Sequence, residues 1–96
     1  MTKTATLERS AHCLKAMAHP FRLTILALLA EGEMNVQDLT RELGTTQSNV
    51  SQHLSQMRLR DLVTARREAN QMFYSVKNPK VLKLIGLMRE VFCGAD

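Results

Sequence analysis

The chain has 96 residues, with 13 Lys and Arg against nine Asp and Glu, a formal net charge of +4 at pH 7. One domain fits that length, with a core modest enough that a partner chain often adds stability. An apolar content of 45% argues against wholesale disorder, no apolar run reaches the ~18 residues needed to cross a bilayer, and no leader pattern opens the chain, so a soluble cytoplasmic protein with no membrane contact is expected.

Residues 1–5 (MTKTA) read as a frayed, disordered end. Leu7, Ala11, Leu14 and Ala18 then follow helical spacing, with a second apolar strip of Cys13, Ala16 and Met17 beside it. His19-Pro20 interrupts this first helix, and Pro20 suits the first position of a second, FRLTILALLAEGE, ending near Gly32. That helix is apolar nearly all round and is the expected centre of the core. Asn35 caps a third helix, VQDLTREL, which Gly44 stops. Thr45 or Thr46 caps a fourth, running to about Arg60, with Val50, Leu54 and Met57 on its buried face. VTARRE and QMFYSV then alternate as two half-buried strands around Ala69-Asn70. Asn78-Pro79 starts a last helix, PKVLKLIGLMREVFC.

The order of elements (four helices, a hairpin and a closing helix) describes a mainly α winged helix-turn-helix over residues 1–96. The helix at 36–43 crosses the DNA backbone, and the one at about 46–59 enters the major groove. The stretch TTQSNVSQHLSQM (45–57) supports that placement. Ten of its thirteen side chains can hydrogen-bond, and none carries a fixed charge at neutral pH. Base edges present neutral donors and acceptors, which Gln, Asn, Ser and Thr match. A merely solvated helix face usually carries Lys and Glu with i,i+4 pairing, and this one has none. The candidate DNA contacts are Thr46, Gln47, Ser48, Ser51, Gln52 and His53, with His53 near a flank where it reaches a phosphate.

Residues 58–83 hold seven basic residues against two acidic, a local net charge of +5. Charge alone leaves a solvated basic face and a phosphate-facing surface level. Beside the neutral helix, Arg58, Arg66 and Arg67 become candidates for backbone or wing contacts. Alternation prevents Arg66 and Arg67 from pointing the same way. Arg67 is favoured for DNA because Ala65 reads as the inner face of the ribbon.

The last helix carries two apolar stripes: Val81, Ile85, Met88 and Phe92, then Leu84, Leu87 and Val91. One can cover its own domain; the other needs a partner. A symmetric dimer of the terminal helices follows, with Gly86 allowing close approach and a palindromic double-stranded operator. The rivals are a winged-helix module that contacts protein and an enzyme. The enzyme has no support, since no paired acids, nucleophile triad or phosphate-binding glycine loop is evident, and no cofactor is expected.

LKAMAHPFRLTIL (14–26), TTQSNVSQHLSQMRLRDLV (45–63) and RREANQMFYSV (66–76) together resemble the ArsR/SmtB family of winged-helix repressors, in its HlyU-, NolR- and BigR-like branch. The resemblance implies a homodimeric repressor released from DNA by a chemical signal. The family's Cys-x-Cys metal motif is replaced here by Asn35-Val36-Gln37, and its terminal-helix metal set has no counterpart, so no metal site is expected. The BigR-like branch implies a dithiol sensor of persulfides or oxidants. Cys93 matches one of its thiols; the other position is Ala27, leaving Cys13 as the substitute. A Cys13/Cys93 sensor and two incidental cysteines remain level readings. A soft-metal site using His12 or His19, or a constitutive repressor, stands behind them.

Overall fold

A computed structural model describes residues 3–93, with the Cys93 side chain outside the described part. The elements are α1 (Lys3–Met17), α2 (Pro20–Leu29), β1 (Met34–Asn35), α3 (Val36–Leu43), α4 (Gln47–Leu59), β2 (Val63–Glu68), β3 (Gln71–Val76) and α5 (Pro79–Cys93). Five helices and a small antiparallel sheet make the expected winged helix-turn-helix. Residues 3–5 correct the expectation of a frayed end, since they already form the first turn of α1; residues 1–2 lie outside the described part. That turn is helical although every residue from Lys3 to Lys15 is exposed.

The helix boundaries follow from side-chain chemistry. His19 caps α2, its Nδ1 accepting from the Phe21 N–H at 3.1 Å, and Pro20 occupies the first turn. Asn35 caps α3 by accepting from the Asp38 N–H at 2.8 Å. Gly44 ends α3 at φ 67°, a left-handed conformation that costs glycine little. Between the two threonines offered by the sequence, Thr46 is the cap of α4 and accepts from the Asn49 N–H at 3.1 Å. The Thr45 hydroxyl instead accepts from the Asn49 side-chain amide.

The core is the closed face of the helix-turn-helix packed on α2. Ile25, Leu26, Leu39, Val50, Leu54 and Met57 are completely buried, with Val63 of β2 and Ile85 of α5 beside them. Apolar burial at ~25 cal/mol per Å² dominates the stability of such a cluster. It orients α4, because burying Val50, Leu54 and Met57 forces Ser48, Gln52 and Ser55 outward.

The sheet has one strand more than the sequence suggests. Its order is β1-β3-β2, with Met34 opposite Tyr74 and Asn35 opposite Phe73. Two residues cannot display a period of two, and the β1 partner lies almost forty positions away. The β2–β3 hairpin turns through Ala69 and Asn70, both at positive φ (51° and 67°). Two such residues match the right-handed twist of the strands.

Candidate nucleic-acid interface

The exposed side of α4 carries Gln47, Ser48, Gln52, Ser55 and Gln56, with Ser51 half-buried at its edge. No acidic residue interrupts it. Neutral amides and hydroxyls on a rigid, capped helix suit base edges in a major groove. The other members of the expected set have more specific positions. Thr46 uses its hydroxyl on the cap, so its side chain orients α4. Arg58 is exposed in the last turn, where a cation also favours the helix dipole.

His53 turns toward α2. Its Nδ1 accepts from Arg22 Nε at 3.1 Å, and its ring lies 4.4 Å from that of His19 and 5.8 Å, edge-on, from that of Phe21. Arg22 also donates through Nη1 to the Ala16 carbonyl at 3.0 Å. Burial pushes the His53 pKa below its ordinary 6.5, and the neighbouring His19 and Arg22 charges push the same way. The imidazole is therefore a neutral strut between α4 and the α1–α2 corner. Periodicity placed His53 on a flank; it could not reveal Arg22, 31 residues earlier, as its partner.

The wing separates its two arginines. Arg66 pairs with Phe73 across the ribbon and Arg67 with Met72, which puts them on opposite faces. Arg66 grips Glu33 through Nε at 2.7 Å and Nη2 at 2.6 Å, and reaches Glu68 through Nη1 at 3.2 Å. Its guanidinium also lies 4.9 Å from the centre of the Phe73 ring. The hydrogen bonds from Arg66 hold the Glu33 carboxyl below its usual range, and donating to Glu33 and Glu68 holds the guanidinium above its own. Asn35 Nδ2 donates to Gln71 Oε1 at 2.9 Å, a second tie between β1 and β3. Arg66 thus fastens the wing to the segment ahead of α3. Arg67 is exposed and forms no ion pair among the described residues.

Of the residues offered for sensing, the Cys93 side chain lies outside the described part. Cys13 is an exposed free thiol on α1. His12 lines a cleft between α1 and α4, whereas His19 caps α2 and lies tilted against the His53 ring. Among the described residues, no three His, Cys, Asp or Glu side chains are grouped closely enough to hold a metal ion.

A helix-turn-helix with a neutral exposed second helix and an arginine-bearing wing has direct counterparts. The model for bacterial regulatory proteins of the arsR family matches residues 19–65, from the cap of α2 into β2. The nodulation protein NolR of Rhizobium meliloti is 42% identical over 85 residues, spanning 88% of this chain and 70% of that protein. This chain belongs to the arsR family. A biofilm growth-associated repressor of Agrobacterium fabrum is 38% identical over 96 residues, covering all of this chain and 80% of that protein. The homodimeric winged helix-turn-helix DNA-binding domain of Mycobacterium bovis, described as a possible ArsR-family transcriptional regulator, superposes with a TM-score of 0.83. It is 35% identical and covers 93% of this chain and 82% of that one. An ArsR-family chain is a DNA-binding transcriptional regulator, and its relatives are regulators rather than enzymes. Among the described residues, no helix is long and apolar enough to cross a membrane.

Proposed function

We propose that the chain is a cytoplasmic homodimeric repressor, a single domain that reads a palindromic operator with α4. The observation that carries this reading is the outward face of α4, uncharged from Gln47 to Gln56 and held by a core-anchored opposite face. Gln47, Ser48, Ser51 and Gln52 read base edges. Arg58 and Arg67 supply phosphate contacts. Thr46, His53 and Arg66 set the orientation of the parts that touch DNA.

The dimer rests on apolar surface that the fold leaves uncovered. Leu7 and Leu14 of α1 and Leu84, Leu87, Val91 and Phe92 of α5 are exposed, Leu87 by 57% and Val91 by 71%. An apolar groove of about 520 Å³ runs between α1, α2 and α5, lined in part by Leu14, Met17, Ile85 and Phe92. A continuous face of this kind marks an interface, and a second copy closes it symmetrically. The Agrobacterium relative is a repressor and the Mycobacterium bovis domain a homodimer, which supports both assignments.

Selection of bound duplexes from a random pool, followed by binding at several salt concentrations, tests this function. A two-fold symmetric consensus with salt-dependent affinity supports it. Equal binding to all sequences removes the reading role of α4. The release signal proposed for the same protein is oxidation or persulfidation at Cys13 and Cys93, of which Cys13 stands exposed on α1. Treatment of the operator complex with a persulfide or peroxide tests it against Cys13→Ser and Cys93→Ser. Release that persists in both variants rules it out.

A further inference from the structure

A second concavity lies beside α4, at its C-terminal half. It holds about 210 Å³ between α1 and α4 and is lined by His12, Lys15, Ala16, Arg22, Gln56 and Arg60. Three fixed cations, an imidazole and an amide converge there, and the lining contains no carboxylate. The nearest acid in sequence, Asp61, is paired with Lys77 at 3.0 Å. Among the described residues, Lys15, Arg22 and Arg60 form no ion pair.

Arg22 gives this cleft a built wall. Its Nε and Nη1 are fixed on His53 and the Ala16 carbonyl, and its Nη2 has no partner among the described residues. A guanidinium held in this way has already lost much of its side-chain freedom before a ligand arrives. Like charges brought together without counter-charge repel, and an anion between them removes that repulsion. The volume lies below the ~300–1,000 Å³ of sites for drug-sized molecules, so the occupant is small.

We infer that the α1–α4 cleft is a binding site for a phosphate-type oxyanion, held by Arg22, Lys15 and Arg60 with Gln56 as a neutral donor. Charge-assisted hydrogen bonds from a guanidinium suit such an anion geometrically. The group is either a free oxyanion or one phosphate of the operator backbone. Gln56 lies one turn after Gln52 on α4, so the cleft opens beside the proposed reading face. An occupant would also sit against Arg22, and through its bond to His53 would act on the orientation of α4.

Two measurements test the site, using the full chain, a Lys15→Ala/Arg60→Ala variant and an exposed-cation control, Lys83→Ala. Inorganic phosphate is titrated against chloride at constant ionic strength while backbone amide shifts are followed. The salt dependence of duplex binding is measured on the same proteins. A saturable shift at α1 and the end of α4, lost in the double variant and kept in Lys83→Ala, establishes a free-anion site. Absence of saturation, with a salt slope lower by about one in the double variant alone, establishes a backbone-phosphate site. The duplex arm rests on the DNA-reading function proposed above, whereas the phosphate arm is independent of it. If the wild type binds no duplex, that function fails and the phosphate titration alone decides the site. No saturable shift together with no specific change in slope overturns the inference.

Discussion

At the scale of single residues, α4 divides its side chains between a buried supporting face and the exposed face proposed to read DNA. Gln52 is exposed, with no hydrogen-bond partner among the described residues, and faces away from the buried Leu54. Gln52→Ala is expected to flatten the preference between operator variants, at ~1–3 kcal/mol for the base it reads. Affinities measured across single-base variants check this; a uniform loss contradicts a reading role. Leu54→Ala belongs to the core, where truncation of a buried leucine costs ~2–5 kcal/mol, measurable by denaturant unfolding. His53 adds a pH dependence. Its folded-state pKa lies below 6.5, so between that lowered value and 6.5 the unfolded chain binds more protons than the folded one. Stability is therefore complete above 6.5 and falls as pH drops through that window. In thermal denaturation, His53→Gln is expected to remove this part of the pH dependence. An unchanged profile would show that the imidazole does not titrate in that way.

At the scale of elements, the caps, the recognition helix and the hairpin were legible because their signals are local. Asn35, Gly44, Thr46 and Asn78-Pro79 each act within one turn of helix, and Val50, Leu54 and Met57 repeat within a single segment. The four-residue link between α2 and β1 hides its function because Glu33 takes its meaning from Arg66, 33 positions later. β1 was missed for the same reason. Arg66 read as a DNA candidate from charge and position, and only the fold shows its acidic partners. The wing therefore supports separate expectations for its arginines. Arg67→Ala is expected to lower the salt slope of operator binding by about one. Arg66→Ala acts through the order of the wing, and Glu33→Gln reproduces it although it removes no positive charge. If Arg66→Ala lowers the slope while Glu33→Gln does nothing, Arg66 is itself the DNA contact. Ala69 is a local conflict, an L-residue at φ 51° where glycine is at ease. Ala69→Gly should stabilise the chain by about 0.5–1 kcal/mol, the left-handed penalty less the backbone entropy of glycine. Denaturant midpoints check it.

At the scale of the whole molecule, the core and the proposed dimer interface divide the apolar residues between them. α5 gives Ile85 to its own core and leaves Leu84, Leu87 and Val91 outside, while α1 buries only Ala16 and Met17. The two stripes of α5 were readable by counting; that α1 contributes so little to its own domain was not, since its two apolar strips look alike in sequence. A dimer on this face sets two α4 helices about one turn of DNA apart, roughly 34–36 Å. The most direct test of the account is operator binding as a function of half-site spacing. Symmetric duplexes carry the selected half-sites at their native separation, or with five base pairs inserted between them. Tight binding is expected at the native spacing and a large loss with the half-turn insertion, which rotates one half-site to the opposite side of the helix. Equal affinity for the two duplexes would contradict it.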